Sequence, residues 1–135
     1  MDSISLKIPI TIKAKLTDKL RGRIVNELTE SLKRVDMELG QIDIEERKVL
    51  AEQGHNDIQR MQAIRAHFDQ ERAQRAEFKE DTQKRLEDTN HLAPGAEIVQ
   101  GQLERIVEVK IGDNIRELMN VEILVEDDKV VAIRS

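Results

Sequence analysis

Hydrophobic positions along this chain change period twice, from every second residue to every third or fourth and back again. In residues 3–14, Ile4, Leu6, Ile8, Ile10, Ile12 and Ala14 fall on one face, and Ser3, Ser5, Lys7, Pro9, Thr11 and Lys13 on the other. Period two with β-branched residues predicts a half-buried strand. Pro9 has no N–H to give a ladder, which places this strand at a sheet edge or at a bulge.

The second pattern is helical. Thr17 suits an N-cap, with Asp18 in the first turn where the helix dipole favours negative charge. Val25, Leu28, Leu32, Val35, Leu39 and Ile42 then recur at spacings of three and four, and Val49 follows after Glu46 interrupts. That is a heptad seam, although Gly22 and Gly40 weaken its helix by about 1 kcal/mol each against Ala. At Gly54-His55-Asn56 the pattern breaks. Gly54 fits a C′ position with left-handed backbone, and Asn56 with Gln59 has the form of a capping box. Mirrored about residue 55, Val49 meets Met61, Glu46 meets Ile64, Ile42 meets Phe68, Leu32 meets Phe78, Leu28 meets Thr82 and Ile24 meets Leu86. This predicts an antiparallel hairpin over 15–92, with its turn near 54–56. The competing reading, one unbroken helix, would carry the first strand roughly 100 Å from the last ones. In the second arm Glu71 and Arg75 take seam positions opposite Leu39 and Val35, so the middle looks under-filled and hints at a further partner.

After Leu92 a Pro94-Gly95 turn restores period two. A short strand is expected around Glu97–Leu103. A second holds Ile106, Val107, Val109 and Ile111 and ends at Gly112-Asp113. A third holds Val121, Ile123, Leu124 and Val125, and Asp127-Asp128 turns it into Val130–Ile133. The expected class is α+β: a long, coiled-coil-like antiparallel helical hairpin on a small antiparallel sheet or partial barrel. Residues 1–14 and 93–135 supply the sheet and 15–92 the hairpin.

Composition sharpens this picture. Charged residues make up 36% of the chain and aromatics 1%, Phe68 and Phe78 only. So little aromatic volume favours a thin, elongated core. Residues 91–135 hold five basic and nine acidic side chains, which argues against broad phosphate-backbone binding there. With no cysteine, disulfides, thiolate catalysis and cysteine metal sites are excluded. The N-terminus does not read as a signal peptide and no run approaches a membrane span, so the expected location is cytoplasmic and the expected partners exclude a membrane.

Candidate chemistry is sparse. His55, His67 and His91 are the histidines; His67 has Glu71 four residues on, a single pair, and no HExxH motif exists. A metal site needs three or four convergent ligands, so none is expected. The serines lack a nucleophile-elbow context, and no phosphate-cradling glycine loop is present. The chain reads as a non-enzyme without cofactors. Lys15, Lys19, Arg21 and Arg23, with Lys13 beside them, are the candidate phosphate contacts; no aromatic interleaves with them, and a solvated face is the plainer reading. Met37, Ile44 and Ala51 recur every seven residues away from the seam, a candidate oligomer interface for a four-helix bundle. The specific function is not legible. The leading expectation is a coiled-coil scaffold or protein–protein interaction module that forms homo-oligomers. The alternative is a ribosome- or RNA-associated factor using the basic base of helix one.

The run Pro94-Gly95-Ala96-Glu97-Ile98, then Gly101, then Ile106-Val107-Glu108-Val109-Lys110-Ile111-Gly112-Asp113, resembles the YlqD family of small uncharacterised bacterial proteins. Glu122-Ile123-Leu124-Val125, Val130-Val131-Ala132-Ile133-Arg134 and the segment Phe68-Asp69-Gln70-Glu71 with Arg75 extend the resemblance. Asp127-Asp128 departs from it, standing where a glycine is more usual. The resemblance implies no activity, cofactor or substrate, and transfers no functional residues.

Overall fold

The computed structural model describes residues 1–54 and 56–135. It is α+β, with two compact units: Met1–Gly22 with Leu92–Ser135, and Arg23–His91.

The first unit holds a four-stranded mixed sheet in the order β2-β1-β3-β4. Its strands are β1 (Ser3–Lys15), β2 (Glu97–Lys110), β3 (Glu122–Glu126) and β4 (Lys129–Arg134). The two strands expected between 97 and 111 are one strand of 14 residues, antiparallel to β1 along its whole length. The all-antiparallel expectation also needs correcting. β3 pairs parallel with β1, from Thr11↔Glu122 to Ala14↔Val125. Parallel neighbours need a long crossover; here it is most of the chain, which no local pattern reveals. The outer strands β2 and β4 do not pair, so no barrel closes.

Pro9 shows how the sheet is built. β1 is an inner strand, yet β3 reaches only Thr11–Ala14 of it. The Thr11 N–H donates to the Val121 carbonyl, so odd-numbered residues of β1 turn their peptide groups toward the β3 side. Pro9, two residues earlier, lacks its N–H where no strand waits for one. The bulge lies elsewhere, between Ile12 and Lys13. Ile8 and Ala14 are buried on the alternating face, with Leu16, Leu20 and Leu124 completing this unit's small core. A short helix, α3 (Ile115–Met119), was not expected; it lies beside β1 and is capped by the Asn114 side chain.

Turn chemistry follows the residues. Pro94 and Gly95 form a turn closed by the Ala96 N–H on the Ala93 carbonyl, and Gly95 has φ +83°, as a type II turn requires. Asp127 (φ 47°) and Asp128 (φ 68°) both take the left-handed conformation of a type I′ hairpin turn.

The second unit is the hairpin of α1 (Asp18–Gln53), whose first turns belong to the sheet unit, and α2 (Ile58–His91). Thr17 caps α1 as expected, its hydroxyl accepting from the Leu20 N–H. His55 lies outside the described residues. The cap of α2 is one residue later than expected: Asp57, not Asn56, accepts from the Arg60 N–H. Asn56 instead takes the positive φ (62°) assigned to Gly54. Gly54 is needed for space, because a Cβ there would lie 2.7 Å from the Leu50 carbonyl oxygen.

Leu28, Val35 and Ile42 are buried on α1, and Phe68, Thr82 and Thr89 on α2. Ile42 and Phe68 line one cavity and Val35 and Arg75 line another, in the mirror register about residue 55. The threonines are accommodated locally: Thr82 donates its hydroxyl to the Phe78 carbonyl and Thr89 to that of Arg85. Phe78 departs from expectation. It is 52% exposed on the hairpin flank, while Lys79 is half-buried beside it. The seam passes beside it: Phe68, Arg75, Thr82 and Thr89 keep a seven-residue spacing inward, and half-buried Lys79 takes the position between Arg75 and Thr82.

Candidate interaction surfaces

The two flanks of the hairpin differ. Asp36 and Asp43 each follow a buried α1 position by one residue and face basic residues of α2. Lys79 Nζ lies 2.7 Å from Asp36, and Arg72 contacts Asp43 (2.9 Å), Glu46 and Asp69 (2.8 Å). This ladder closes one flank. Ser31, Glu38 and Glu45 mark the other, which stays open as two shallow cavities of about 310 and 230 Å³. The first is lined by Arg34, Val35, Gln74 and Phe78 among others; the second by Gln41, Ile42 and Phe68; Arg75 and Glu38 line both. Among the described residues the ion contact across this flank is loose, Arg75 Nε at 3.5 Å from Glu38, and that Nε is buried without a hydrogen-bond partner.

Glu71 and Arg75 are half-buried, and acidic side chains of α1 reach across to the basic ones of α2. Met37 (65% exposed), Ile44 (67%) and Ala51 lie exposed on α1, in a stripe one residue wide.

The candidate phosphate contacts span the end of β1 and the start of α1. Lys15 ends β1, paired in register with Glu97, and Lys19 is exposed. Arg21 donates to the Leu92 carbonyl, and Arg23 belongs to the helical unit. Lys13 is engaged too, 2.8 Å from Glu122. Arg134 meets that same Glu122 at 3.0 Å and grips Glu97 through two hydrogen bonds of 2.8 and 3.1 Å. Side chains from all four strands thus share one ionic cluster. The Arg134 hydrogen bond holds the Glu97 carboxyl below the ordinary range, and the Lys13 hydrogen bond does the same for Glu122; the bond to Glu97 raises Arg134 in turn. Sequence reasoning missed this cluster because its members are separated by up to 121 positions along the chain, from Lys13 to Arg134. Strand alternation puts Lys13 on the polar face but says nothing of its partners.

His67 and Glu71 do share a helix face, at 3.5 Å, with His67 edge-on to Phe68. Among the described residues no group of three His, Asp or Glu could hold a metal ion, and no helix is long and apolar enough to cross a membrane.

The family model described as YlqD protein matches residues 4–134. The chain belongs to the YlqD family. This YlqD chain also superposes on a crystal structure of a protein of unknown function from Synechococcus sp. WH 8102, with a TM-score of 0.92, 24% identity and all of both chains covered. At that identity the likeness speaks for the fold alone. None of the curated proteins matches the YlqD chain.

Proposed function

We propose that this YlqD protein is a non-enzymatic interaction or scaffold module whose working surface is the open flank of its hairpin. The observation that supports this reading is the difference between the flanks. One is closed by ion pairs, whereas the other leaves Phe78 52% exposed next to Val35 and an Arg75 donor that lacks an acceptor. A groove between two helices suits a third, as in helix-in-groove recognition. The helical unit carries twelve basic and sixteen acidic side chains, so the favoured occupant is an amphipathic helix with cationic flanks. It would set an apolar side chain on Phe78 and an amide or carboxylate against Arg75. The RNA reading is weaker, because Lys13 and Arg21 already have protein acceptors.

A photo-crosslinking residue at Gln74, in cells that naturally make the protein, tests the proposal. It should trap an adduct of discrete mass that Phe78→Glu abolishes and that the same probe at Met37 does not form. An adduct indifferent to both the position of the probe and to Phe78→Glu would refute the groove as the docking surface.

A further inference from the structure

The sheet unit is poor in core and rich in exposed apolar surface. Among the described residues five of its apolar side chains are buried, against twelve large ones exposed. Small β units need more than that to be stable alone. Its outer strand β2 shows where the deficit can be made good. The Ile111 N–H donates to the Asp2 carbonyl, so the odd-numbered residues from Val109 back to Leu103 turn their peptide groups toward β1. Gln102, Glu104, Ile106, Glu108 and Lys110 turn theirs outward, where no strand of the described residues lies.

Both ends of that outer edge are blocked. At one end Asp113 occupies Lys110, its carboxylate accepting from the Lys110 N–H at 2.8 Å and its N–H donating to the Lys110 carbonyl at 3.1 Å. At the other the bulge inserts Gln100 between Val99 and Gly101. Four consecutive outward residues between these blocks remain open. Leu103 (56% exposed) and Ile106 (73%) accompany them. An edge guarded at its ends and left open with apolar side chains in the middle offers a template for another strand.

We propose that β2 pairs antiparallel with β2 of a second copy of this chain, about a two-fold axis at Leu103, making one continuous sheet. The charges select the register. An axis at Glu104 or at Arg105 opposes two like charges directly, and one at Ile106 sets Glu104 against Glu108. An axis at Val107 requires the outward groups of Lys110, which Asp113 holds. An axis at Gln102 leaves one hydrogen-bonded pair before the bulge at Gln100, whereas one at Leu103 leaves two. With Leu103 on the axis, Leu103 meets Leu103, Gln102 meets Glu104, and Gly101 leaves room for Arg105. Charge also selects this unit over the hairpin for self-contact. The sheet unit has ten basic and eleven acidic side chains, whereas the hairpin's excess of four acids repels its own copy. The inference goes beyond the hairpin reading and stands without it: an empty groove would leave the dimer intact.

The absence of cysteine makes the test clean. Leu103 belongs to the non-hydrogen-bonded set on the outer side, where facing Cα atoms lie about 4.5 Å apart, within disulfide reach. Wild type should have a dimer mass by light scattering. Leu103→Cys should cross-link to a covalent dimer on mild oxidation, and Ile44→Cys should not. Glu104→Pro, which removes an outward N–H and spares the β1 ladder, should be a monomer with an unchanged circular dichroism spectrum. A monomeric wild type, a dimer that survives in Glu104→Pro, or cross-linking of Ile44→Cys without Leu103→Cys would overturn the proposal. Should Glu104→Pro fail to fold, the two cysteine variants decide alone.

Discussion

Gly40 lies inside α1 and Gly54 just past its end, and replacing each with alanine should change stability in opposite directions. At Gly40 an added Cβ meets no atom within 4 Å. Gly40→Ala should therefore gain the ordinary difference between the two residues in a helix, about 1 kcal/mol. At Gly54 the same methyl group would lie 2.7 Å from the Leu50 carbonyl oxygen and 3.1 Å from Met61 Cγ. The first of these is backbone, which cannot swing aside as a side chain can, and overpacking of this kind costs about 1–3 kcal/mol. The two variants should differ by about 2–4 kcal/mol. For a unit of this size 1 kcal/mol moves the midpoint by about 4–8 °C, so thermal unfolding followed by helical circular dichroism resolves the pair easily. Met61→Ala added to Gly54→Ala should not restore stability, because the carbonyl contact remains. A Gly54→Ala variant as stable as Gly40→Ala would refute the reasoning and return Gly54 to the ordinary role of a permissive residue.

Asp128→Gly should stabilise the β3–β4 hairpin by about 1 kcal/mol, since it relieves a left-handed conformation that costs a residue with a Cβ about that much; a loss in urea unfolding would contradict the type I′ assignment. Thr82→Val keeps the shape of a buried side chain and removes a hydroxyl that only doubles a helical carbonyl's bonding, so a gain of up to about 1 kcal/mol is expected in the same assay. Arg72→Met should cost about 1 kcal/mol at low ionic strength and much less in 1 M salt, as a partly exposed network is screened; a cost that ignores salt would assign the loss to packing. Glu97 and Glu122 titrate below the ordinary carboxylate value when folded. Their stabilisation is therefore complete above the unfolded value near 4.5 and is lost as pH falls through the lowered ones. Acid titration of unfolding midpoints should show this fall in wild type and a shallower one in Arg134→Gln.

What the sequence disclosed follows from the range of the physics. Alternation in residues 3–14, the Thr17 cap and the heptad from Leu28 to Ile42 are local patterns, and each appears in the structure where the pattern put it. The parallel β1–β3 pairing, the single long β2 and the four-strand ionic cluster depend on partners far along the chain, and no window of sequence contains both sides. Gly54 and Asn56 were both recognised as turn residues, but their backbone roles were exchanged, since composition does not say which of two neighbours is crowded. Exposed surfaces were the least legible: Met37 and Ile44 caught attention by their spacing, whereas Leu103 and Ile106 matter because of which way a backbone faces.

The polar centre of the hairpin was legible in principle, by applying to charge the mirror that worked for apolar residues. Residues 36–46 contain five acids and no base, and their reflection about residue 55, residues 64–74, contains Arg65 and Arg72, with Arg75 and Lys79 just beyond. Each exposed pair contributes little to stability. Their value lies in what they exclude. Sliding α2 by about one helical turn would bring Asp69 to the place of Arg72 (a slip of three) or Glu71 to that of Arg75 (a slip of four), each against the acids of α1. An apolar seam of Leu, Ile and Val tolerates such slips because its side chains are interchangeable, while a segregated charge ladder penalises each of them. The gap in the core at Glu71 and Arg75 is thus the place where the hairpin fixes its register, and the same asymmetry leaves the opposite flank unoccupied by its own side chains.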